Sequence, residues 1–342
     1  MKVLQSMAGA QHGGAEAFFT RLVLALHRAG LEQRVVLRTD AERAEQLMAA
    51  GIAPVQLSFG GPLDLATRLR LRREIADFRP DVVLSWMSRA ADFCPPSRGR
   101  FVHCGRLGGY YNLKYYQRCD RLIGNTKGIV DYLIGEGWPA ERAHYLPNFV
   151  AADQVAPTSR AELSTPDDAT VVLALGRLHA NKAFDVLIEA MRGLPNAYLW
   201  LAGEGPLAEQ LKSRAVHLGV APRIRFLGWR TAPASLYAAA DVVVCPSRIE
   251  PLGNVVLEAW ARRRPVVAAA AAGPTELIRD GVDGLLVPID DANALARAVD
   301  RVLSNRAAAA TLAGNGHDRF LAEFTEDKVV ARYLRFFDEV SG

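Results

Sequence analysis

Cysteine is scarce in this sequence. Its 342 residues contain only Cys94, Cys104, Cys119 and Cys245, and no two of them stand in CxxC spacing. That excludes a disulfide scaffold and leaves reduced structural thiols as the expectation. Long apolar runs are also missing, none approaching the roughly 18 residues that a membrane-spanning helix needs. The opening MKVLQSMAGAQHGG holds one lysine and a short apolar stretch ending in a Gly-rich turn. It reads as a first strand and loop, not a signal peptide, so cytoplasmic residence is the default expectation. There is no Lys/Arg tract with interleaved aromatics and no zinc-finger spacing, which argues against a nucleic-acid partner. Nor does GxGxxG occur, so a nicotinamide dinucleotide has little support.

What is present is a globular composition, 50% hydrophobic and 23% charged, in a chain too long for one ordinary core. Short β-branched runs alternate with helical patterns. Strands are predicted at Val3–Ser6, Arg34–Arg38, Val55–Ser58, Val82–Ser85, Phe101–His103 and Leu122–Gly124, with helices at Ala15–Ala29, Ala41–Ala50, Leu65–Phe78 and Lys127–Gly135. After a polar, Pro-containing stretch the alternation restarts at Val171–Leu175 and runs on to a final helix over Asp327–Phe337. This is the pattern of parallel sheets covered on both faces. The predicted fold class is α/β, two doubly wound Rossmann-like domains facing one another. The predicted divisions are 1–150, a linker at 151–169, a second domain at 170–323 and a terminal helix at 324–342. Ligands in such sheets gather outside the carboxyl ends of the strands, which places them in the cleft.

Charge is unevenly spread. Residues 1–150 hold 20 Lys and Arg against 14 Asp and Glu, and the remainder 21 against 23. A basic first half suits an anionic membrane surface or an anionic acceptor. The predicted helix carrying Arg68, Arg70, Arg72, Arg73 and Arg79 is where peripheral contact with anionic lipid would occur; an ordinary sheet-covering helix with a solvated Arg edge explains it equally.

Four places carry candidate chemistry. In AQHGGAE (residues 10–16), Gly13 and Gly14 allow a close turn at the entry of a helix, suited to an anion or oxygen-rich ligand or simply to a tight turn. GRLHANKAFD (176–185) supplies Arg177 and Lys182 after a strand. Two fixed cations there can hold a diphosphate and neutralise charge on a leaving group; they also fit an ordinary charged surface. In CPSRIEPLGNVVLEAW (245–260), Glu250 lies in the loop and Glu258 inside the next helix, with Gly253, Asn254 and Val255 at its entry. Glu258 among apolar neighbours calls for a hydrogen-bonding partner such as a ribose diol. The carboxylate pair also raises a glycosidase reading, but eight residues of loop and helix do not establish facing carboxylates. Finally, FVHCGRLGGYY (101–111) puts His103 at the predicted end of a strand, with a pKa near working pH, followed by Arg106, Tyr110 and Tyr111 in a loop fit for an acceptor or a packed lid.

Taken in order, HGGAE (12–16), GRLHANKAFDVLIEA (176–190), LAGEGPL (201–207), EPLGNVVLEAW (250–260) and GPTELIRDGVDGLLVP (273–288) resemble the retaining, nucleotide-sugar-dependent glycosyltransferases of the GT-B fold, the large family 4. The resemblance covers nearly the whole chain. It implies that Arg177 and Lys182 hold the donor diphosphate, that Glu258 binds the ribose hydroxyls, and that Glu250 with the amides of Gly253–Val255 faces the donor sugar. It further implies that His103 reaches that sugar from the first domain, that Gly14 lies near the diphosphate, and that the final helix crosses back onto the first domain. No metal or cofactor is implied. The donor is a nucleotide-sugar, UDP-linked most often and GDP-linked in some members; the acceptor is a glycan or lipid-linked hydroxyl, with lipopolysaccharide or envelope glycan assembly as the setting. The same fold also houses nucleotide-sugar epimerases, and a binding-only module is the other alternative. One departure is that Phe149 follows Asn148 in LPNFV, where the family often has glycine.

Overall fold

The computed structural model describes residues 1–11, 13–61 and 63–342. They form two compact units, Met1–Phe149 with Glu326–Gly342, and Val150–Thr325. In the first unit the strands are β1 (Lys2–Met7), β2 (Glu32–Arg38), β3 (Val55–Leu57), β4 (Val82–Trp86), β5 (Val102–Leu107), β6 (Arg121–Gly124) and β7 (Ala143–Tyr145). All pair in parallel, in the order β3-β2-β1-β4-β5-β6-β7. Alternate residues of one strand serve opposite faces. Thus Val3, Val82 and Leu84 join Phe18, Phe19 and Leu22 of the helix Gly14–Arg28, while Leu4 and Val83 join Leu71, Ile75 and Phe78 of the helix Leu65–Phe78. Both faces are covered, so the buried strand segments Val35–Leu37 and Val82–Leu84 read as continuous apolar runs.

The second unit contains β8 (Thr170–Leu175), β9 (Ala197–Ala202), β10 (Ile224–Gly228), β11 (Val242–Cys245), β12 (Val266–Ala269) and β13 (Leu285–Val287), again all parallel, in the order β10-β9-β8-β11-β12-β13. Val172 and Leu199 pack on Leu187 and Leu211 on one side. Leu173 and Trp200 pack on Val256, Leu257 and Trp260 on the other. In each sheet the chain reverses its direction of travel once, between β1 and β4 and between β8 and β11. Ligands of such sheets bind at that switch, outside the carboxyl ends.

Four differences from the sequence-based expectation bear on function. Strand β5 runs four residues beyond His103, through Gly105, where a Cβ would come within 2.9 Å of Tyr116, Cys119 and Leu122. A glycine that looks like a strand terminus is thus a packing requirement. Residues predicted as a linker pack on the second unit, where Arg160 pairs with Asp241 at 3.0 Å and Trp200 donates to Thr165 at 2.9 Å. Phe149, the residue that departs from Pro-Asn-Gly, is buried and meets Phe18 edge-on with ring centres 5.3 Å apart. The Arg-rich helix is also less free than its composition suggests, since Arg68 pairs with Asp92 at 2.9 Å and Arg70 with Glu74 at 2.8 Å.

The last helix extends over Glu326–Ser341, and its Val329, Tyr333, Phe336 and Phe337 enter the core of the first unit. Among the described residues, no helix is long and apolar enough to cross a membrane. All four cysteines are free and buried.

Candidate functional site

The switch between β8 and β11 gathers most of the second unit's candidates. Beyond β8, Gly176 leads through Arg177 to a 3-10 turn, Ala180–Lys182, before the helix Phe184–Ala190. Beyond β11, the chain runs through Ser247 and Glu250 to the helix Asn254–Ala261. Adjacent strands bring these distant loops together, and Lys182 donates from Nζ to Glu250 Oε2, which Ser247 Oγ also approaches at 3.3 Å. Burial works against the ammonium charge, but the Glu250 carboxylate outweighs it and holds the Lys182 pKa above the ordinary lysine value. Arg177 is different: it is exposed, and its guanidinium has no hydrogen-bond or ion-pair partner among the described residues. One cation is tied to a carboxylate and the other is free for an incoming anion.

Gly253 caps the helix Asn254–Ala261 in a left-handed conformation (φ 92°), which turns Asn254 and Val255 into the first helical turn, where amide hydrogens lack helical partners. Within that helix, Glu258 is half-buried and accepts a 2.6 Å hydrogen bond from the Tyr237 hydroxyl. The unmet burial cost predicted for Glu258 is therefore reduced inside the protein. Burial and the neighbouring carboxylate both push the Tyr237 pKa well up, so this hydroxyl is a fixed donor. A carboxylate has acceptor capacity beyond one bond, so a diol remains compatible with Glu258.

In the first unit, Gly13 and Gly14 follow β1 at its switch with β4; His12 of the same stretch lies outside the described residues. Glu16 folds back into this turn, accepting from the Ala10 amide at 2.8 Å and filling the space a Gly13 side chain would need. A carboxylate thus sits where an anion was expected. The loop after β5 comes alongside, Gly108 lying near Ala15 and Asn125. Tyr110 is 44% exposed and meets the Tyr132 ring edge-on, while Tyr111 is half-buried. Burial and Glu16 raise the Tyr111 pKa. Hydroxyls and one carboxylate, with few cations, suit a neutral polyol better than an anion.

The comparisons with known proteins agree with one another. The model of Glycosyltransferase Family 4 matches residues 12–154, and that of Glycosyl transferases group 1 matches 169–305. Lipopolysaccharide core biosynthesis glycosyltransferase LpsE of Rhizobium meliloti (strain 1021) is 37% identical over 342 residues, 98% of each chain. LpsD of the same organism is 35% identical, over 99% of this chain and 98% of its own. The chain belongs to family 4 of the glycosyltransferases. Its GT-B fold is shared with Anabaena HepE, solved in complex with UDP and glucose, at a TM-score of 0.86 over 99% of this chain and 100% of that one, with 23% identity. Among the described residues of this glycosyltransferase, no group of three or more His, Cys, Asp and Glu is placed to hold a metal ion.

Two expectations for the glycosyltransferase need correction. His103 is the second residue of β5 and fully buried, not the end of a strand. Its Nδ1 donates to the Arg118 carbonyl at 3.0 Å, and its Nε2 lies 2.9 Å from Ser85 Oγ. Burial lowers its pKa to about 4, so the ring is neutral at working pH and both nitrogens are occupied. The hydrogen-bonding capacity of the ring is thus spent inside the first unit. Arg106, expected beside an acceptor, is 1% exposed. It lies over Phe18 and Trp86, at 4.7 and 4.4 Å from the ring centres, and donates to Tyr333 and Asn148.

The His103 correction has a measurable consequence. Unfolding returns the ring to an ordinary pKa near 6.5, so the unfolded chain binds the proton first as pH falls. The stability held above pH 6.5 is then lost down to about pH 4, by about 3 kcal/mol as an upper bound. Melting of His103→Asn across that range is expected to show a shallower pH slope than wild type; parallel slopes would refute the assignment.

Sequence reasoning missed three groups. Tyr237 carries no local signal, standing 21 residues before the carboxylate it orients. Arg248 grips Asp185 with two bonds of 2.9 and 2.7 Å and donates to the Ala180 carbonyl at 2.8 Å, clamping the Lys182 turn to the Glu250 loop. Met87, directly beyond β4, holds a left-handed backbone (φ 62°) at the switch of the first sheet, a costly conformation for a side chain of this size.

Proposed function

We propose that this chain is a retaining glycosyltransferase that moves a sugar from a nucleotide diphosphate sugar, a UDP-sugar in the first instance, to a hydroxyl of a glycan or glycolipid acceptor. The observation that carries the reading is the unpaired Arg177 guanidinium beside the Lys182–Glu250 pair at the β8/β11 switch. The donor diphosphate binds Arg177 and shares Lys182 with Glu250. In the reaction the bond from the anomeric carbon to the diphosphate oxygen breaks on the same face on which the acceptor oxygen bonds. The acceptor proton passes to the leaving phosphate oxygen. Charge growing on that diphosphate meets two cations already in position, so little reorganisation accompanies the step and no metal is required. Glu250 contacts the donor sugar, Glu258 the ribose diol, and the amides of Gly253–Val255 the phosphate or sugar oxygens. The loops bearing Gly13, Gly14, Tyr110 and Tyr111 receive the acceptor.

The names of the Rhizobium relatives favour lipopolysaccharide core assembly, and HepE, solved with UDP, favours a UDP-sugar. The cytoplasmic face of the membrane is the corresponding location. Arg72 and Arg73, exposed on the helix Leu65–Phe78, supply contact with anionic lipid there, about 1 kcal/mol each near such a surface. Purified protein should be incubated with UDP- and GDP-sugars and truncated core acceptors. Mass spectrometry identifies the product, and its anomeric configuration reports retention. A changed sugar released without acceptor would mean an epimerase; nucleotide binding without turnover would mean a binding module.

Tyr237 offers a finer test. Tyr237→Phe is expected to raise the donor KM roughly ten-fold or more, because a bond orienting a charged group is lost. Discrimination between UDP and its 2′-deoxy analogue should shrink as well. Undiminished discrimination would remove Glu258 from ribose recognition.

A further inference from the structure

The first unit has a second concave site, at the end of its sheet opposite the loops that hold Gly13 and Tyr110. A cavity of about 700 Å³ opens beside the start of β4 and β5, where Pro80 and Phe101 precede the strands. In a parallel sheet all strand starts share one edge, and five residues of β4 separate the two edges by roughly 16 Å. Arg72, Arg79, Arg98 and Arg100 line the cavity, coming from the helix Leu65–Phe78, its cap, and the turn before β5. All four are exposed, none has a hydrogen-bonded or ion-paired guanidinium among the described residues, and no carboxylate appears among the lining residues. Of the acids on neighbouring positions, Glu74 pairs with Arg34 and Arg70, Asp92 pairs with Arg68, and Asp81 accepts from the Lys2 amide, while Asp77 is exposed and is not among the lining residues. The floor is apolar, with Ile75 and Phe101 nearly buried.

Two of these arginines occupy backbone positions that favour glycine. Arg79 ends its helix in the left-handed region (φ 50°, ψ 61°), and Arg98 has φ 49° in the turn with Gly99 (φ 74°). Folding alone is better served by glycine at both. Retained strain together with four mutually repelling cations describes a surface whose stability improves when a multivalent anion arrives. A guanidinium fork matches phosphate oxygens in geometry as well as charge.

We propose that this cavity is a binding site for a phosphate ester, a phosphomonoester or diphosphate group attached to an apolar or sugar body that rests on Ile75 and Phe101. It belongs to the first unit, whereas the proposed donor groups belong to the second, and it lies at the opposite end of the first unit's sheet from the proposed acceptor loops. The phosphate comes either from a lipid head group or from a soluble phosphorylated compound.

The test uses the full chain and the variant Arg79→Gly with Arg98→Gly, which removes two charges while relieving two strained positions. Its melting temperature without anion should equal or exceed that of wild type. If it falls, Arg98→Gln with Arg100→Gln takes its place. Calorimetry with inorganic pyrophosphate, with Arg177→Ala in the background so that the second unit's site is weakened, should show binding that the added pair reduces at least about ten-fold. Turnover of the nucleotide-sugar, measured without that background, should be unchanged by the pair, and absence of turnover in every protein would leave the calorimetry readable. A second arm compares sedimentation with phosphatidate vesicles against calorimetry with a soluble sugar phosphate. Loss in the variant confined to the vesicles identifies a lipid head group, and loss confined to the sugar phosphate a soluble ligand. Equal pyrophosphate affinity with and without the pair, or wild type that sediments with anionic vesicles yet binds neither soluble probe, overturns the proposal.

Discussion

Arg177→Ala is expected to slow sugar transfer about 30-fold to 1000-fold while leaving the melting temperature unchanged, since its guanidinium supports nothing else in the fold. Lys182→Ala should lose at least as much and should behave differently. Its removal leaves the Glu250 carboxylate, only 11% exposed, without its cation and close to the place proposed for the diphosphate. Nucleotide affinity should therefore fall more than with Arg177→Ala, and adding Glu250→Gln should recover part of it. Glu250→Gln alone should bind free nucleotide almost normally yet turn over the saturated donor slowly. A double-mutant cycle on affinity and turnover separates these effects. Additive losses, with no recovery in the Lys182, Glu250 pair, would mean that the ion pair is an ordinary surface contact. Turnover by wild type should also survive excess chelator; loss restored only by magnesium would show that the two cations do not suffice.

The alternation that makes this fold legible is simple: apolar runs of four to six residues, each followed by an amphipathic helix, with both sheet faces covered. Val3 and Leu4 point to opposite cores, and no strand needs a polar face. The proposed donor groups follow a related rule. Arg177, Lys182 and Glu250 lie in segments beyond a strand's carboxyl end, where a parallel sheet exposes loops. Which loops become neighbours is a property of strand order, and strand order is not local. Lys182 and Glu250 stand 68 residues apart and meet only because β8 and β11 pair. Tyr237 is equally invisible until its helix lies against the helix of Glu258.

The errors had local causes. Gly105 and Arg106 resemble the end of a strand, and that boundary put His103 at a rim instead of in the core. The helix Met87–Phe93 was missed because it leaves β4 directly through a left-handed residue, with no capping side chain to announce it. The helix Ala272–Leu277 was hidden by Gly273 and Pro274, which read as a loop; proline is tolerated there because the first helical turn does not use its amide hydrogen.

Arg106 decides whether the first unit's buried polar groups serve binding or folding. Its side chain runs from β5 between Phe18 and Trp86, and its Nε donates at 2.8 Å to Tyr333 on the terminal helix. Its Nη2 donates at 2.6 Å to Asn148, beside the buried Phe149. One guanidinium thus ties a strand, the terminal helix and the end of the first 149 residues. Arg106→Ala empties a large volume between two aromatic rings and removes the donors to two buried oxygens. The emptied volume and the lost hydrogen bonds together cost about 3–5 kcal/mol, a large share of the roughly 5–15 kcal/mol that holds a domain together. For a unit of this size that corresponds to a melting decrease of roughly 6–20 °C. Because two units need not unfold together, the quantity to follow is the transition lost by the first one. Arg106→Lys keeps a cation but has no planar fork to reach Tyr333 and Asn148 at once, so it should recover only part of the loss. Tyr333→Phe removes one of the bonds and should cost about 1 kcal/mol. An acceptor-binding arginine would give a different result: normal melting, with an acceptor KM raised in both the Ala and Lys variants. Normal melting of Arg106→Ala would therefore return this residue to the acceptor site and remove it from the core.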